Sequence, residues 1–359
     1  MDFTLEETQQ AVAEAATHVL GQYQHKGERA PQSDDYDRAL WKELGQAGLL
    51  GLAVPERLGG GGLGVMDTAV LLTEVGRRAA PVPALATLAM GVLPVIRWGG
   101  RELQQTVLDG VAAGDTILTA AVREPSDPMP PAPATTVRNG AISGVKTGVP
   151  YGAAARWILV PASLASGGTG VAVVDPSADG VRLRPTPSSA GGPEYTLHLD
   201  GAPVAHLLGD DRAVAGLYQL TLAGAACVAD GALAGALALT TAHVGSRKQF
   251  GRPLAAFQAV AQQIADVAIV SRTLHLAALS ACWRLDTGRE AGGDLDVAAY
   301  WLADQAPAAL RTCHHLHGGT GMDVAYPLHR YSALVKDLVR LVGGADYRLD
   351  RLGARVCAG

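Results

Sequence analysis

The sequence predicts an α+β fold in which a small β domain separates two helical domains. Hydrophobic residues recur at helical spacing towards both ends of the chain. Between these regions, short runs rich in β-branched residues are bounded by Gly and Pro, as strands are. We therefore expect an N-terminal helical domain over residues 1–114, a small β-barrel over residues 115–208 and a C-terminal four-helix bundle over residues 209–359.

The N-terminal domain contains two signals for the start of a helix. Thr4 can cap a first helix, because Ser, Thr, Asp and Asn side chains accept hydrogen bonds from the free N–H groups of a first turn. Ser33 or Asp34 can cap a second helix in the same way. The glycine-rich loop at residues 55–64 breaks the helical pattern, which resumes after it.

The middle of the chain changes to the period of strands. Asn139-Gly140 separates the runs TTVR and AISG, and this pair is a strong signal for a tight hairpin. The segment VRLRP at residues 181–185 alternates in the same period. About eight such runs follow one another at close spacing, which favours a compact antiparallel barrel or sandwich.

The C-terminal region begins with an apolar stretch, from Ala213 to Ala242, that is long enough to cross a membrane. Asp230 lies in its middle, and Ala, Gly and Thr dilute its hydrophobicity. This pattern favours a buried helix of a soluble bundle. In the next helical segment, apolar residues from Leu254 to Val267 recur at helical spacing.

Charge and cysteine content narrow the classes of function. The 359-residue chain has a formal net charge of −5 and no basic block, which argues against nucleic acid as its main partner. Its N-terminus, MDFTLEETQQAVAEAA, is acidic and lacks the apolar core of a signal peptide. The four cysteines show no CxxC spacing. We expect a cytoplasmic protein with reduced thiols and without a membrane partner.

The first stretch that indicates chemistry is SRKQFGRPLAAFQ, residues 246–258, which joins two apolar helices. A helix connection needs only its Gly and Pro, yet this turn also contains Arg247 and Phe250. Cations beside an aromatic ring suit an anion with a planar part, such as a nucleotide pyrophosphate, because Arg holds phosphate in a fork. The alternative interpretation is a solvated basic turn.

The second stretch is HHLHGGTGMDVAYPLHRY, residues 314–331, and it allows three interpretations. The histidines could ligate zinc, but no further ligand lies at a suitable spacing, so we expect no metal. They could be ordinary residues at the end of a helix. Alternatively, Gly318 and Gly319 could let backbone N–H groups approach a phosphate, with His315 as a polar partner.

The two stretches, in this order within a chain of helices, small β domain and helices, resemble the acyl-CoA dehydrogenase family. The resemblance covers essentially the whole chain. It implies FAD as cofactor, desaturation of an acyl-CoA thioester between its α and β carbons, and an electron-transfer flavoprotein as electron acceptor. In this family a carboxylate removes the α proton while the β hydrogen leaves as hydride to the flavin.

The resemblance also implies which residues bind FAD. In the family, one FAD is held by two chains, and the C-terminal helices of one chain hold the adenosine diphosphate part of its neighbour's FAD. Arg247, Phe250 and Gln258 would face that cofactor. The second loop would consist of His315, Leu316, His317, Gly318 and Gly319, with His315 in place of the usual Gln.

This chain departs from the family where its own flavin and substrate would bind. Gly343 stands at the position of the usual catalytic Glu. Arg123 replaces a Thr before Glu124-Pro125, and a proline-rich tract follows where the family has a glycine loop. Gly148 and Pro150 stand where the family has the Trp and Thr that contact the flavin ring.

The residues expected to bind a neighbour's FAD are kept, whereas those expected to bind the chain's own flavin and substrate are lost. This difference implies a subunit of a mixed oligomer. The chain most resembles the subunits without a base in actinobacterial α2β2 acyl-CoA dehydrogenases of steroid degradation. A companion subunit would supply the catalytic Glu and act on a bulky CoA thioester. Two alternatives remain. The first is a self-sufficient dehydrogenase that uses Asp230 or Asp346 as a displaced base, and the second is a non-enzymatic assembly module.

Overall fold

Helices form both ends of the chain and strands form its middle. The computed structural model describes residues 4–23 and 36–358. The N-terminal helices are α1 (Glu7–Gly21), α2 (Arg38–Gln46), α3 (Val65–Arg77), α4 (Leu93–Trp98) and α5 (Arg101–Leu108). A π-helical stretch, Leu85–Val92, leads directly into α4.

The predicted start of α1 is wrong by a few residues. Glu6, not Thr4, is the N-cap of α1, because the Gln9 side chain accepts a hydrogen bond from the Glu6 backbone N–H at 3.1 Å. Helix α2 is capped by Asp37, which accepts from the Leu40 N–H at 2.9 Å. The predicted caps at residues 33 and 34 lie outside the described residues.

Eight strands form one curved sheet in the middle of the chain. They are β1 (Leu118–Ala120), β2 (Thr136–Arg138), β3 (Ala141–Pro150), β4 (Trp157–Leu164), β5 (Thr169–Val174), β6 (Val181–Thr186), β7 (Glu194–Pro203) and β8 (His206–Leu208). Their order is β6-β7-β3-β2-β4-β5-β8, with β1 also paired to β4. A bridge between Arg123 and Thr147 links the continuation of β1 to β3, so that β1, β4, β2 and β3 close a ring of pairings.

The hairpin prediction is confirmed, but the purely antiparallel arrangement is not. Asn139 and Gly140 join β2 to β3 with φ values of +50° and +76°, as a tight hairpin of this type requires. However, β4 pairs in parallel with both β1 and β2. The prediction is wrong about these pairings because they join strands that are distant in sequence. Local alternation of residues does not report which strands pair.

The C-terminal helices surround one long central helix. They are α6 (Asp211–Ser246), α7 (Gln258–Asp286), α8 (Gly292–Tyr300), α9 (Ala306–His317), α10 (Leu328–Val342) and α11 (Ala345–Ala358). A π-helical stretch, Trp301–Gln305, joins α8 to α9. Two short strands, β9 (Lys248–Gln249) and β10 (Arg252–Pro253), lie between α6 and α7.

Helix α6 packs against α3 at close range. A Cβ added at Gly231 would lie 1.8 Å from the Thr73 carbonyl oxygen, and one at Gly76 would lie 2.1 Å from the Val228 carbonyl oxygen. Glycine is therefore required at both crossings, since any side chain would push the helices apart. This contact fixes the N-terminal helices against the C-terminal bundle.

Both α6 and α7 are long and apolar enough to cross a membrane. The most apolar part of α6 is 78% buried within the fold, as is typical of a core helix. Within α6, Asp230 is 4% exposed and its carboxylate lies 2.8 Å from Nδ1 of His275 on α7. The prediction of a buried bundle helix is confirmed for α6.

Candidate functional site

The basic turn predicted to hold phosphate directly follows α6. Strands β9 and β10 form a small hairpin there, and Phe250 lies at its tip with a φ of +52°. The Phe250 side chain is 92% exposed. Backbone strain in a non-glycine residue, combined with full exposure of an aromatic ring, is typical of a residue that contacts a ligand or another chain.

Arg247 and Gln258 lie at the two ends of this turn, and both are exposed. Arg252, which also belongs to the turn, stacks over the Phe257 ring with its guanidinium carbon 4.1 Å from the ring centroid. Arg252 is therefore engaged within the fold. The exposed Arg247 guanidinium is the better placed of the two to bind an anion.

The second predicted segment divides into an exposed and a buried part. His315, Gly318 and Gly319 are exposed, whereas Leu316 and His317 are buried. A Cβ added at Gly318 or Gly319 would meet no atom within 4 Å, so the space over this turn is open. The turn can therefore admit a ligand close to its backbone.

The buried His317 anchors the turn from below. Its Nδ1 lies 2.8 Å from the Cys313 carbonyl oxygen, and its Nε2 lies 3.0 Å from the Tyr326 hydroxyl. Burial lowers the pKa of His317, which favours the neutral ring. Nδ1–H then donates to the carbonyl, and Nε2 accepts from the tyrosine. The resemblance assigned His317 to the FAD loop, and the structure places it beneath that loop.

His314, which precedes the exposed residues, is also held within the fold. Its Nδ1 lies 3.0 Å from the Gly321 carbonyl oxygen, and its Nε2 lies 2.7 Å from the Ser332 hydroxyl. In the described ranges, no group of three His, Cys, Asp or Glu side chains could hold a metal ion. His314 and His317 therefore shape this turn through their hydrogen bonds.

The fold brings the two predicted segments together. The ring of His243, in the last turn of α6, stacks on the ring of His317 at the end of α9, with 4.4 Å between their centroids. Arg247 follows His243 by one turn. Its backbone N–H donates a hydrogen bond to the His243 carbonyl at 2.8 Å, which fixes its position. One exposed surface therefore contains the basic turn and the glycine turn. We call it the α6–α9 surface.

Position 343, which the resemblance aligns with a catalytic Glu, has no room for a side chain. Gly343 ends α10 with a φ of +98°. A Cβ there would lie 2.6 Å from Cγ of Pro128 and 2.7 Å from Cδ1 of Tyr347. Pro128 belongs to the proline-rich tract, so the tract fills the space beside Gly343.

Neither of the two candidate displaced bases lies on the wall of the large cavity described below. Asp230 is paired with His275 between α6 and α7. Asp346 is exposed in the first turn of α11. A general base must come within hydrogen-bond reach of the proton it removes, and these positions do not favour either residue in that role.

Charged side chains lie against the part of β3 where the resemblance places the flavin ring. Gly148 lies at an irregularity of β3, and a Cβ there would lie 2.9 Å from Nη1 of Arg123 and 3.4 Å from Oε1 of Glu194. Arg340 holds Glu194 in a fork, with N–O distances of 2.6 and 2.7 Å. Burial raises the pKa of the Glu194 carboxyl, and the Arg340 guanidinium offsets part of that rise.

Glu124, the acid retained beside Arg123, has a structural role. Its carboxylate accepts hydrogen bonds from the Ala134 and Thr135 N–H groups and from the Thr135 hydroxyl, at 2.7–2.9 Å. The buried Lys146 ammonium donates a further one at 2.8 Å. Burial alone would raise the pKa of Glu124, but the hydrogen bonds from Lys146 and Thr135 outweigh it and lower the pKa.

A cavity of about 1070 Å³ opens beside these charged groups. Its wall comes from α3, the π-helical stretch, the end of β3, the loop before β7, and α10. Much of it is apolar, including Val75, Ala79, Val82, Leu85, Val228, Leu334, Leu338 and Leu341. Arg123, Gly148, Pro150 and Tyr151 line the same space, which is large enough for a drug-sized ligand.

Sequence reasoning missed part of this arrangement. Arg123 was singled out from the sequence. No local pattern marks Glu194, Asp337 or Arg340, which come from distant parts of the chain. Tyr151 has a φ of +55°, and only the preceding Gly148-Val149-Pro150 sequence marked that region as unusual.

Known proteins resemble the chain over almost all of its length. Residues 4–115 match the acyl-CoA dehydrogenase N-terminal domain, and residues 219–355 match the acyl-CoA dehydrogenase C-terminal domain. Acyl-CoA dehydrogenase FadE28 of Mycobacterium tuberculosis is 48% identical over 357 residues, with 99% of each chain covered.

Two solved structures are similar in fold and in sequence. One is a variant of the Tcur3481–Tcur3483 steroid ACAD, with a TM-score of 0.93, 34% identity and 99% of each chain covered. The other is the ChsE4–ChsE5 complex from Mycobacterium tuberculosis, with a TM-score of 0.93, 32% identity and both chains covered completely. On these grounds the chain belongs to the acyl-CoA dehydrogenase family.

Proposed function

We propose that this chain is the subunit without a catalytic base in a heteromeric, cytoplasmic acyl-CoA dehydrogenase. The companion subunit supplies the Glu that removes the α proton, and this chain completes the companion's FAD site through the α6–α9 surface. The observation that carries the proposal is an asymmetry. The surface that faces outward remains open to a ligand, whereas position 343 has no space for a side chain and the Arg123 guanidinium lies against Gly148.

The filled base position supports the first half of the proposal. A Glu at position 343 would require its Cβ to overlap Pro128 and Tyr347, in a backbone conformation that favours glycine. Asp230 and Asp346 do not line the cavity. Position 343 therefore offers no carboxylate, and the Glu194 carboxylate, which does line the cavity, is held by Arg340.

The flavin-ring position supports the same conclusion. A Trp at position 148 would displace the Arg123 guanidinium, which lies against the Gly148 backbone. Pro150 has neither a side-chain hydroxyl nor an N–H to donate to a ring. The residues at positions 148 and 150 therefore do not fit an isoalloxazine ring.

The α6–α9 surface suits the adenosine diphosphate part of a companion's FAD. Arg247 would pair with the pyrophosphate, and backbone N–H groups near Gly318 and Gly319 would approach it closely. Phe250, Gln258 and His315 are exposed on the same surface and would contact the cofactor. FAD, when bound, accepts the hydride from the β carbon of the thioester.

The similar structures support a mixed assembly and a bulky substrate. The ChsE4–ChsE5 structure is named as a complex of two proteins, and the Tcur3481–Tcur3483 structure is named as a steroid ACAD. By similarity we propose a steroid or other bulky polycyclic CoA thioester as substrate. An electron-transfer flavoprotein would take up the electrons.

The experiment compares three samples under anaerobic conditions. These are this chain alone, its companion alone, and the two chains produced together, with the companion sought in the neighbouring open reading frame. Addition of a steroid acyl-CoA should bleach flavin absorbance only in the mixed complex. Bleaching by this chain alone would instead favour a self-sufficient dehydrogenase. A mixed complex that assembles but contains no flavin would favour an assembly module.

A further inference from the structure

The cavity is a partly open, mostly apolar space that the proposed function leaves without a ligand. At about 1070 Å³, it is as large as pockets that bind whole small molecules. Its hydrophobic wall, from α3, the π-helical stretch and α10, would be costly to leave against water alone. A ligand that fills it must therefore have a bulky hydrocarbon part.

One cation on the wall differs from the others. Arg340 pairs with Glu194 and with Asp337, whose carboxylate lies 3.0 Å from its Nη2. Arg123 forms no ion pair or side-chain hydrogen bond among the described residues, and its Nε is buried without a partner. Burial and the nearby Arg340 both lower the pKa of Arg123, and the Glu194 carboxylate offsets part of this effect. A half-buried cation without an ion pair is unfavourable, and a bound anion would relieve it.

A second polar group, Tyr151, lines the same cavity. Tyr151 follows the end of β3 and has a left-handed backbone, with a φ of +55°. Its ring meets Tyr36 edge-on, with 6.1 Å between the centroids. Burial raises the pKa of Tyr151, so its hydroxyl keeps its proton and can donate a hydrogen bond. Strain of this kind persists where the surrounding structure positions a residue for function.

We propose that this cavity binds an apolar carboxylic acid, with the carboxylate received by the Arg123 guanidinium and the Tyr151 hydroxyl and the hydrocarbon part against α3 and α10. A planar carboxylate suits the fork of an arginine. A CoA ester would bring several phosphate charges to a wall with one unpaired cation, so the free acid is the better match. This inference rests on the proposed function, because it requires that the cavity holds no flavin.

The test uses the mixed complex and two probes with chains of the same length, one ending in a carboxylate and the other in an uncharged hydroxyl. Decanoate, below its micelle concentration, is titrated into the complex by calorimetry, and decan-1-ol is titrated in parallel. We expect decanoate to bind more tightly than the alcohol. Arg123→Gln should weaken decanoate at least tenfold and leave the alcohol unchanged, because it removes only the charge pair. Arg123→Lys should restore part of the affinity, and Tyr151→Phe should weaken decanoate severalfold.

The control is Arg138→Gln, an exposed arginine at the β2–β3 hairpin, which should leave both affinities unchanged. Equal decanoate affinity in the wild type and Arg123→Gln would overturn the acid site, as would the absence of any decanoate binding. Competition with FAD separates the two proposals. Displacement of decanoate from this chain by FAD would contradict the proposed function, whereas failure to bind decanoate in a complex with normal flavin would contradict only the acid site.

Discussion

The His243 ring stacks on the His317 ring at 4.4 Å and joins the end of α6 to the end of α9. This contact brings together two segments separated by more than one long helix. Burial lowers the pKa of His243, and the Arg247 charge lowers it further. Both rings are therefore favoured in their neutral form, which lets them stack without repulsion. The stack sets the spacing between the basic turn and the glycine turn.

The α6–α9 surface leads to the first prediction. Arg247→Ala in the mixed complex should weaken FAD binding by about 1.5–3 kcal/mol, because it removes a charge-assisted contact to phosphate. This corresponds to roughly a 10- to 150-fold rise in Kd, measured by equilibrium dialysis of the flavin. Arg138→Ala, at the distant β2–β3 hairpin, is the matched control and should change nothing. An unchanged Kd in Arg247→Ala would contradict the placement of FAD on this surface.

The second prediction concerns Gly343, which the resemblance aligns with a catalytic Glu. Gly343→Ala should lower the free energy of unfolding by more than Gly344→Ala does, as measured by urea titration. Both glycines have left-handed backbones, with φ values of +98° and +88°, but a Cβ at Gly344 would meet no atom within 4 Å. The difference, about 1–3 kcal/mol, reports the contact with Pro128 and Tyr347. Equal losses would show that position 343 has room for a side chain.

The third prediction concerns the buried Glu124–Lys146 pair. Glu124→Gln should destabilise the protein by about 3–5 kcal/mol, because it leaves the Lys146 ammonium buried without an opposite charge. The double variant Glu124→Gln with Lys146→Met should lose less than the single variant, because no charge remains. Urea unfolding of the three proteins provides the comparison. A double variant less stable than Glu124→Gln would refute this explanation.

The same pair predicts a pH dependence. The pKa of Glu124 is lowered from its ordinary value of 4.5. Between the lowered pKa and the ordinary one, the Glu124 carboxyl group therefore binds fewer protons in the folded protein than in the unfolded protein. Its contribution to stability is present above pH 4.5 and is lost as the pH falls through the lowered pKa. Thermal unfolding should therefore show that the double variant loses less stability below pH 4.5 than the wild type does. Parallel curves would contradict the assignment.

The fourth prediction concerns the displaced bases. Asp230→Asn and Asp346→Asn should leave turnover of the mixed complex unchanged, because neither side chain lines the cavity. Asp230→Asn should lower stability, since Asp230 is buried against His275, whereas the exposed Asp346→Asn should not. Steady-state oxidation of a steroid acyl-CoA measures the first effect and urea unfolding the second. Loss of turnover in either variant would support a base on this chain.

Local signals in the sequence predicted much of the fold. The Asn139-Gly140 hairpin is present because its backbone requirement is contained in two adjacent residues. The apolar stretch around Asp230 forms the buried helix α6, because length, hydropathy and one central carboxylate are all local properties. The start of α1 was predicted less well, since several residues in TLEETQ can cap a helix and a side-chain contact decides between them.

Contacts between distant residues explain what the sequence did not predict. The Glu194–Arg340 fork joins residues 146 positions apart, and neither has a local signature. The parallel pairings of β4 depend on the path of the chain, which alternation of residues does not record. The burial of Leu316 and His317 follows from the stack on His243, so a motif alone did not show which of its residues face outward.

The ratio of bound flavin to protein in the purified mixed complex tests the division of labour between the two subunits most directly. If this chain only completes its companion's site, the ratio will be one FAD for each pair of unlike chains, and this chain purified alone will be almost free of flavin. Two FAD molecules per pair, or a full complement in this chain alone, would mean that a flavin ring binds beside Gly148 and Arg123 after all.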